Sequence, residues 1–217
     1  MSQACRKPMN AVNYHKRTAD WTDEEVLLKY RKSGNEGLFS VLVSRYEREL
    51  FSYLRRYLGN AEMAEDAFQA TFLQLHLKCD MFEEGRRLRP WLYMIATNKA
   101  IDLQRRNKRH QLVSLNISSS GDDERGQLMD MLVGDEPSPL ARMNSSERSA
   151  WVSKSLDGLP EHLKLVVNLV YYQGLKYREA AEILAIPVGT VKSRLHAAII
   201  RLTEAWHESH EPGHEEY

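Results

Sequence analysis

Three carboxylates crowd the start of the run from Ala61 to about Lys78: Glu62, Glu65 and Asp66, with Gln69 one turn further on. Acids at this spacing share a helical side and could hold a divalent cation for cleavage of a phosphodiester. The chain offers nothing to complete that chemistry. No convergent histidine, nucleophile or glycine-rich phosphate loop accompanies them, which argues against a nuclease. Two simpler accounts remain: the acids favour the positive end of the helix dipole, or they form a docking face for a basic partner. His76 and Cys79 lie one turn apart, but two ligands do not make a zinc site. The expectation is a protein without catalytic residues, metal or cofactor.

A second cluster follows in PWLYMIATNKAIDLQRRNKRH, residues 90–110. From Arg86 to Arg109 eight arginines and lysines stand against Asp102 alone, a net of +7, while residues 110–150 carry seven acids against three arginines, a net of −4. Over the whole chain 30 basic and 30 acidic side chains cancel, so the basic surface is local. Trp91 and Tyr93 beside these cations suit unpaired bases, which stack on aromatic rings while cations hold the backbone. The alternative is that Trp91 packs in a helical core and the arginines are solvated.

The third cluster is Tyr177 to Leu202, YREAAEILAIPVGTVKSRLHAAIIRL. Tyr177, Ala180, Ala181 and Leu184 fall on one helical face, Ile186 and Pro187 interrupt, and Val191, Leu195, Ala198 and Leu202 make the buried face of a second helix. Ser193, His196, Ala197 and Ile200 lie opposite, flanked by Lys192 and Arg194. This is a helix-turn-helix pattern, in which short polar groups read base edges in a major groove and cations meet phosphates. A helical hairpin with a solvated face has the same periodicity.

The elements that must position these clusters are all helical. Thr22 and Glu25 form a capping box ahead of a short helix reaching the Gly34 region. A longer helix over about Glu36 to Leu58 carries Phe39, Leu42, Tyr46, Leu50, Tyr53 and Tyr57 at steps of three and four and ends at Gly59. Ala64, Phe68, Phe72 and Leu75 make the buried stripe of the acidic helix, and Leu163, Val166, Val167 and Val170 that of a helix behind the helix-turn-helix. Between Gln111 and about Arg142 the periodicity dissolves into serine, glycine, proline and acid, the composition of a linker. The expected architecture is all-α, with two small helical domains joined by a flexible linker. Its parts are an arm over 1–20, a first domain over 21–110, a linker over 111–144, a second domain over 145–206 and a tail over 207–217. Two cysteines, Cys5 and Cys79, without CxxC spacing fit a reducing compartment, and no apolar run reaches the 18 residues of a membrane span. A cytoplasmic protein without membrane insertion is expected.

The order RYERELFSYLRRYLGNAEMAEDAFQATFLQLH, RPWLYMIATNKAIDLQRR, a linker and LPEHLKLVVNLVYYQGLKYREAAEILAIPVGTVKSRLHAAIIRL resembles a bacterial sigma factor of the extracytoplasmic-function group, in the sigma-70 family. The resemblance covers roughly 22–110 and 145–205. It implies that the first domain is sigma region two and the last sigma region four. It implies core RNA polymerase as a partner, through its β′ clamp helices and β flap, with Glu62, Glu65, Asp66 and Gln69 docking on the clamp helices. It implies promoter DNA as the other partner. The melted −10 element would meet Arg89, Trp91, Asn98, Lys99, Asp102, Arg105 and Arg106, with Asp102 organising neighbouring arginines. The −35 element would meet Thr190, Lys192, Ser193, Arg194 and His196. The chain departs from the family pattern at Ala197 and Ile200, where many members carry basic residues; one lost contact costs about 1–3 kcal/mol, so −35 binding is expected to be weaker or differently specified. Members are often held inactive by an anti-sigma factor, and the free protein is expected to be a monomer. The rival reading is a conventional helix-turn-helix regulator that binds duplex DNA without polymerase, which leaves the basic-aromatic segment without a purpose.

Overall fold

The computed structural model describes residues 18–115 and 151–210, and these are helical throughout, without a strand among them. In chain order they form α1 (Asp23–Ser33), α2 (Glu36–Leu58), α3 (Ala61–Lys78) with a 3-10 turn at Cys79–Met81, and α4 (Leu88–Leu115). Then come α5 (151–157), α6 (Glu161–Val167) running into a π turn at Asn168–Tyr172, α7 (Tyr177–Leu184) and α8 (Val188–His210). The expected arm over most of 1–20, most of the linker and the tail beyond His210 lie outside the described residues. Helix α4 extends to Leu115, past the Gln111 at which the apolar period fades.

The ends of these helices follow from local chemistry. Thr22 accepts from the backbone N–H of Glu25, whose carboxylate accepts from that of Thr22, so two orphan donors of α1 are satisfied by one pair. Asn35 and Asn60 cap α2 and α3 through their side-chain oxygens. Gly59 closes α2 at φ +72°, a conformation that costs glycine nothing. Helix α4 is capped from a distance. Its Leu88 N–H donates 2.8 Å to the Glu24 carboxylate in the first turn of α1, tying the two helix starts together.

Helices α1 to α4 share one core. Leu42, Leu50, Tyr53 and Leu54 of α2, Ala64, Ala67 and Leu75 of α3, and Leu92, Tyr93, Ala96 and Ala100 of α4 are fully buried. A polar thread runs through it: Tyr53 Oη and Thr97 Oγ1 lie 2.7 Å apart, and Thr97 donates to the Tyr93 carbonyl. Burial pushes the Tyr53 phenol above its ordinary pKa, so it stays neutral and keeps its proton for that bond. A second anchor sits at the edge, where Arg45 reaches Asp23 at 2.6 Å and the carbonyls of Thr18 and Trp21, and Tyr46 donates to the same carboxylate.

In the second part, α6 packs on α8 and α7 crosses in front, with α7 and α8 bent by 101°, within the range of helix-turn-helix units. Three details differ from the sequence-based expectation. Tyr177 is 41% exposed and Leu184 only half-buried, because the packed face of α7 is Ala180, Ala181 and Ile183, rotated by part of a turn from the expected stripe. The helix through Leu163, Val166 and Val167 widens into the π turn, which leaves Val170 half-buried. Pro187 precedes the second helix and accepts from the N–H groups of Thr190 and Val191 with its carbonyl.

The turn before it bends at Ala185, which has φ +51° and lies in the left-handed region where a Cβ is strained. Replacing it by glycine is expected to raise the unfolding free energy of this part by about 1 kcal/mol, measured by urea denaturation followed by circular dichroism. A fall in stability would show that the turn is held by something other than its backbone preference.

Candidate nucleic-acid interface

Three surfaces carry the residues singled out in the sequence. The first is the outer side of α3, where Glu62, Glu65, Asp66 and Gln69 are all exposed and Gln69 Nε2 donates 2.9 Å to Glu65. None of the three carboxylates joins an ion pair among the described residues, and no group of three metal-ligating side chains forms there. The face therefore carries its carboxylates outward with no cation against them among the described residues. Sequence reasoning missed its continuation. Leu73 is 60% exposed, Leu77 65% and Met81 71%, following Gln69 at intervals of four. The available signal was that apolar residues from Phe72 to Leu77 outnumber the places on one stripe, so some of them had to face outward.

The second surface is α4, and here the seven proposed residues do not form one face. Asn98, Asp102, Arg105 and Arg106 are exposed and Lys99 is half-buried, on the side that spacings of four and seven residues bring together. Arg89, nine residues before Asn98, lies on the opposite side of the helix, since nine steps of 100° make two and a half turns. It pairs with Glu49 of α2 at 3.3 Å. Burial disfavours its charge, but the bond and charge of Glu49 outweigh burial and leave its pKa raised. Trp91 belongs to the core. Only 6% exposed, its ring centroid is 5.2 Å from that of Phe82, and it is not placed to stack on a base. Asp102 is exposed and makes no ion pair with Arg105 or Arg106, so it does not organise them in this structure. The two guanidinium groups and the carboxylate each face water there.

The third surface is the first three turns of α8. Lys192, Ser193 and His196 are exposed, and Thr190 and Arg194 are half-buried at the margin. Ser193 Oγ donates 3.1 Å to the Thr190 carbonyl, a bond that a ligand acceptor would replace at little cost. Val191, Leu195 and Ala198 hold the opposite side in the core, as their spacing requires. Ile199 and Ile200 are exposed, so the face turns apolar beyond His196. A helix presented by its N-terminal turns, with a lysine and short polar side chains outward, has the shape and donors that enter a major groove.

Sequence comparisons agree on two regions. A Sigma-70 region 2 model matches residues 42–110, and a Sigma-70, region 4 model matches 149–202. The chain is similar to the ECF RNA polymerase sigma factor SigW of Bacillus subtilis, 32% identical over 176 residues that cover 79% of this chain and 92% of that one. It is 29% identical to the ECF RNA polymerase sigma-E factor of Escherichia coli over 81% of this chain and 90% of that one. Among solved structures, CnrH in complex with the cytosolic domain of CnrY aligns with a TM-score of 0.60 at 24% identity, over 87% of this chain and 99% of that one. RpoE of Bartonella quintana with the anti-sigma factor NepR aligns at 0.61 and 23% identity, over 77% and 96%. At these identities the solved structures speak for the fold.

The burial of Trp91 and exposure of Asn98 separate folding from surface roles on one helix. Trp91→Ala is expected to lower stability by about 3–5 kcal/mol in urea denaturation, the cost of an aromatic cavity in a core. Asn98→Ala should stay within about 0.5 kcal/mol of the parent. Equal stabilities for the two variants would show that Trp91 is not a core residue.

Proposed function

Because this chain belongs to the extracytoplasmic-function RNA polymerase sigma factors, we propose that it binds core RNA polymerase, directs it to a set of promoters and assists opening of the downstream element. The observation that carries this is the presence on one chain of an unpaired acidic helix face, a basic helix beside it and an exposed helix-turn-helix, in the order of regions two and four. The chemistry of RNA synthesis stays with the polymerase, and the chain contributes binding alone, in the cytoplasm where that enzyme works.

In this reading the unit over 21–110 is region two, that over 145–206 is region four, and 111–144 connects them. Glu62, Glu65, Asp66 and Gln69 meet a basic surface of the β′ clamp helices, with Leu73, Leu77 and Met81 adding apolar area at the end of the same row. Asn98, Lys99, Arg105 and Arg106 hold the backbone of the opened −10 strand, where contacts must offset an unpairing cost of a few kcal/mol. Thr190, Lys192, Ser193, Arg194 and His196 face the −35 element in the major groove, and region four also meets the β flap. An anti-sigma factor is the natural regulator, by analogy with the solved complex of Bartonella quintana RpoE with NepR. A conventional regulator would use the third surface alone and leave the acidic face without a partner.

Reversing two charges tests the docking face. Glu65→Lys/Asp66→Lys is expected to abolish co-purification with core polymerase, since like charges set against each other cost several kcal/mol, and with it run-off transcription from genomic fragments. Retained binding of duplex DNA by a chain that never associates with polymerase would favour the conventional regulator. For the −35 surface, Lys192→Ala should weaken holoenzyme binding to all promoter fragments alike and reduce the salt slope by about 1, as loss of one phosphate contact does. Anisotropy titrations at several salt concentrations read both quantities, and an unchanged slope would remove Lys192 from the phosphate contacts.

A further inference from the structure

One acid stands on the basic helix. From Leu88 to Leu115 the sequence of α4 holds a single carboxylate, Asp102. Asn98, Lys99, Asp102, Arg105 and Arg106 share one side of the helix. At about 100° per residue they span an arc of about 120°, and Asp102 lies at its middle. It is also midway along the axis, with Lys99 before it and Arg105 after it, the two being about 9 Å apart in rise. The centre of this face is therefore negative, and its rim carries the cations and the Asn98 amide.

Other polar groups on or against α4 are used within the fold. Arg89 pairs with Glu49 and donates to the Gln173 carbonyl, and Tyr93 donates to the Gln173 side chain. Tyr57 donates to Gln104, and Glu24 accepts from the Leu88 N–H. Asp102 is exposed and has no such partner among the described residues. Arg105 and Arg106 follow it by three and four positions, the spacing at which an ion pair supports a helix, yet no pair forms. Support of the helix does not account for this residue.

A carboxylate at this centre repels the phosphates that the arginines attract. What it can take from a DNA strand follows from donors and acceptors. An ionised carboxylate only accepts, and so do the phosphates and sugars of DNA. The donors of the strand are the N–H groups of its bases, foremost the exocyclic amines of adenine, cytosine and guanine. In an opened strand the pairing edge that bears them is free to be read. We propose that Asp102 is a specificity-determining residue that accepts a hydrogen bond from the exocyclic amine of one unpaired base of the −10 strand, while Lys99, Arg105 and Arg106 hold the backbone on either side. This rests on the polymerase reading above and adds to it a means of selecting a base. The cations give affinity for any strand, and the acid lowers that affinity wherever no amine answers it.

The test uses holoenzyme assembled from core polymerase and the full chain. Fluorescence anisotropy follows its binding to promoter fragments whose −35 part is duplex and whose −10 part is single-stranded. At each −10 position in turn adenine is replaced by purine, guanine by hypoxanthine or cytosine by pyrimidinone, each of which lacks the exocyclic amine. The expected result is one position at which loss of the amine weakens binding about tenfold, as loss of a hydrogen bond to a charged group does. In Asp102→Ala that penalty should vanish, while a fragment with thymine throughout its −10 strand should bind more tightly than it does to the parent. Asp102→Glu, which keeps the carboxylate, should retain a penalty at the same position. Thermal unfolding followed by circular dichroism should be the same in all three chains, which separates selectivity from folding. If no position responds to amine loss, or if the penalty is equally large in Asp102→Ala, the assignment is overturned and the polymerase reading stands. A chain that does not join core polymerase overturns that reading and the assignment with it.

Discussion

Burial of one stripe of α4 against α2 and α3 is the contact on which the other surfaces depend. Leu92, Tyr93, Ala96 and Ala100 are packed without residual exposure, and the Tyr53–Thr97 bond locks the rotation of the helix at its middle. A helix is stiff, so fixing one stripe fixes all the others. Asn98, Asp102, Arg105 and Arg106 are outward because Ala96 and Ala100 are inward, and Arg89 faces the second unit for the same reason. Glu24 caps the start of α4, so even the register of its first turn is set by tertiary contact.

The distribution of ion pairs separates structural charges from available ones. Asp23, Glu49, Glu84, Glu161 and Glu179 each meet a cation, at distances from 2.5 to 3.7 Å. Among the described residues Glu62, Glu65 and Asp66 meet none, although the neighbouring helix α4 is strongly basic. An exposed pair is worth little, so leaving these acids unpaired costs the fold almost nothing while preserving a field for a partner. The same economy applies to Lys192 and His196 on α8. Stability comes from apolar stripes, and the surfaces remain free for recognition.

A helical reading was legible because the residues that pack also repeat. The capping box at Thr22, the stripe from Leu42 to Tyr57 and the break at Pro187 are short-range patterns, and the structure has them where the pattern requires. The candidate surfaces were legible to the extent that they sit on those helices. Leu73 and Leu77 were not, because the excess of apolar residues from Phe72 to Leu77 says that some of them face outward and not which. Tyr177 failed for a similar reason: Ala180, Ala181 and Ile183 can pack without it, and the periodicity fits either choice.

What the sequence by itself determined is therefore local: helix positions, their caps, the order of the two regions and the charge on each face, all set by interactions spanning a few residues. Tertiary structure alone decided which member of each cluster could act. It buried Trp91 against Phe82, turned Arg89 away from Asn98, and brought Gln173 to Tyr93 across eighty residues of chain. Those outcomes depend on how complete helices pack, and packing is settled by the fit of whole surfaces rather than by any spacing along the chain.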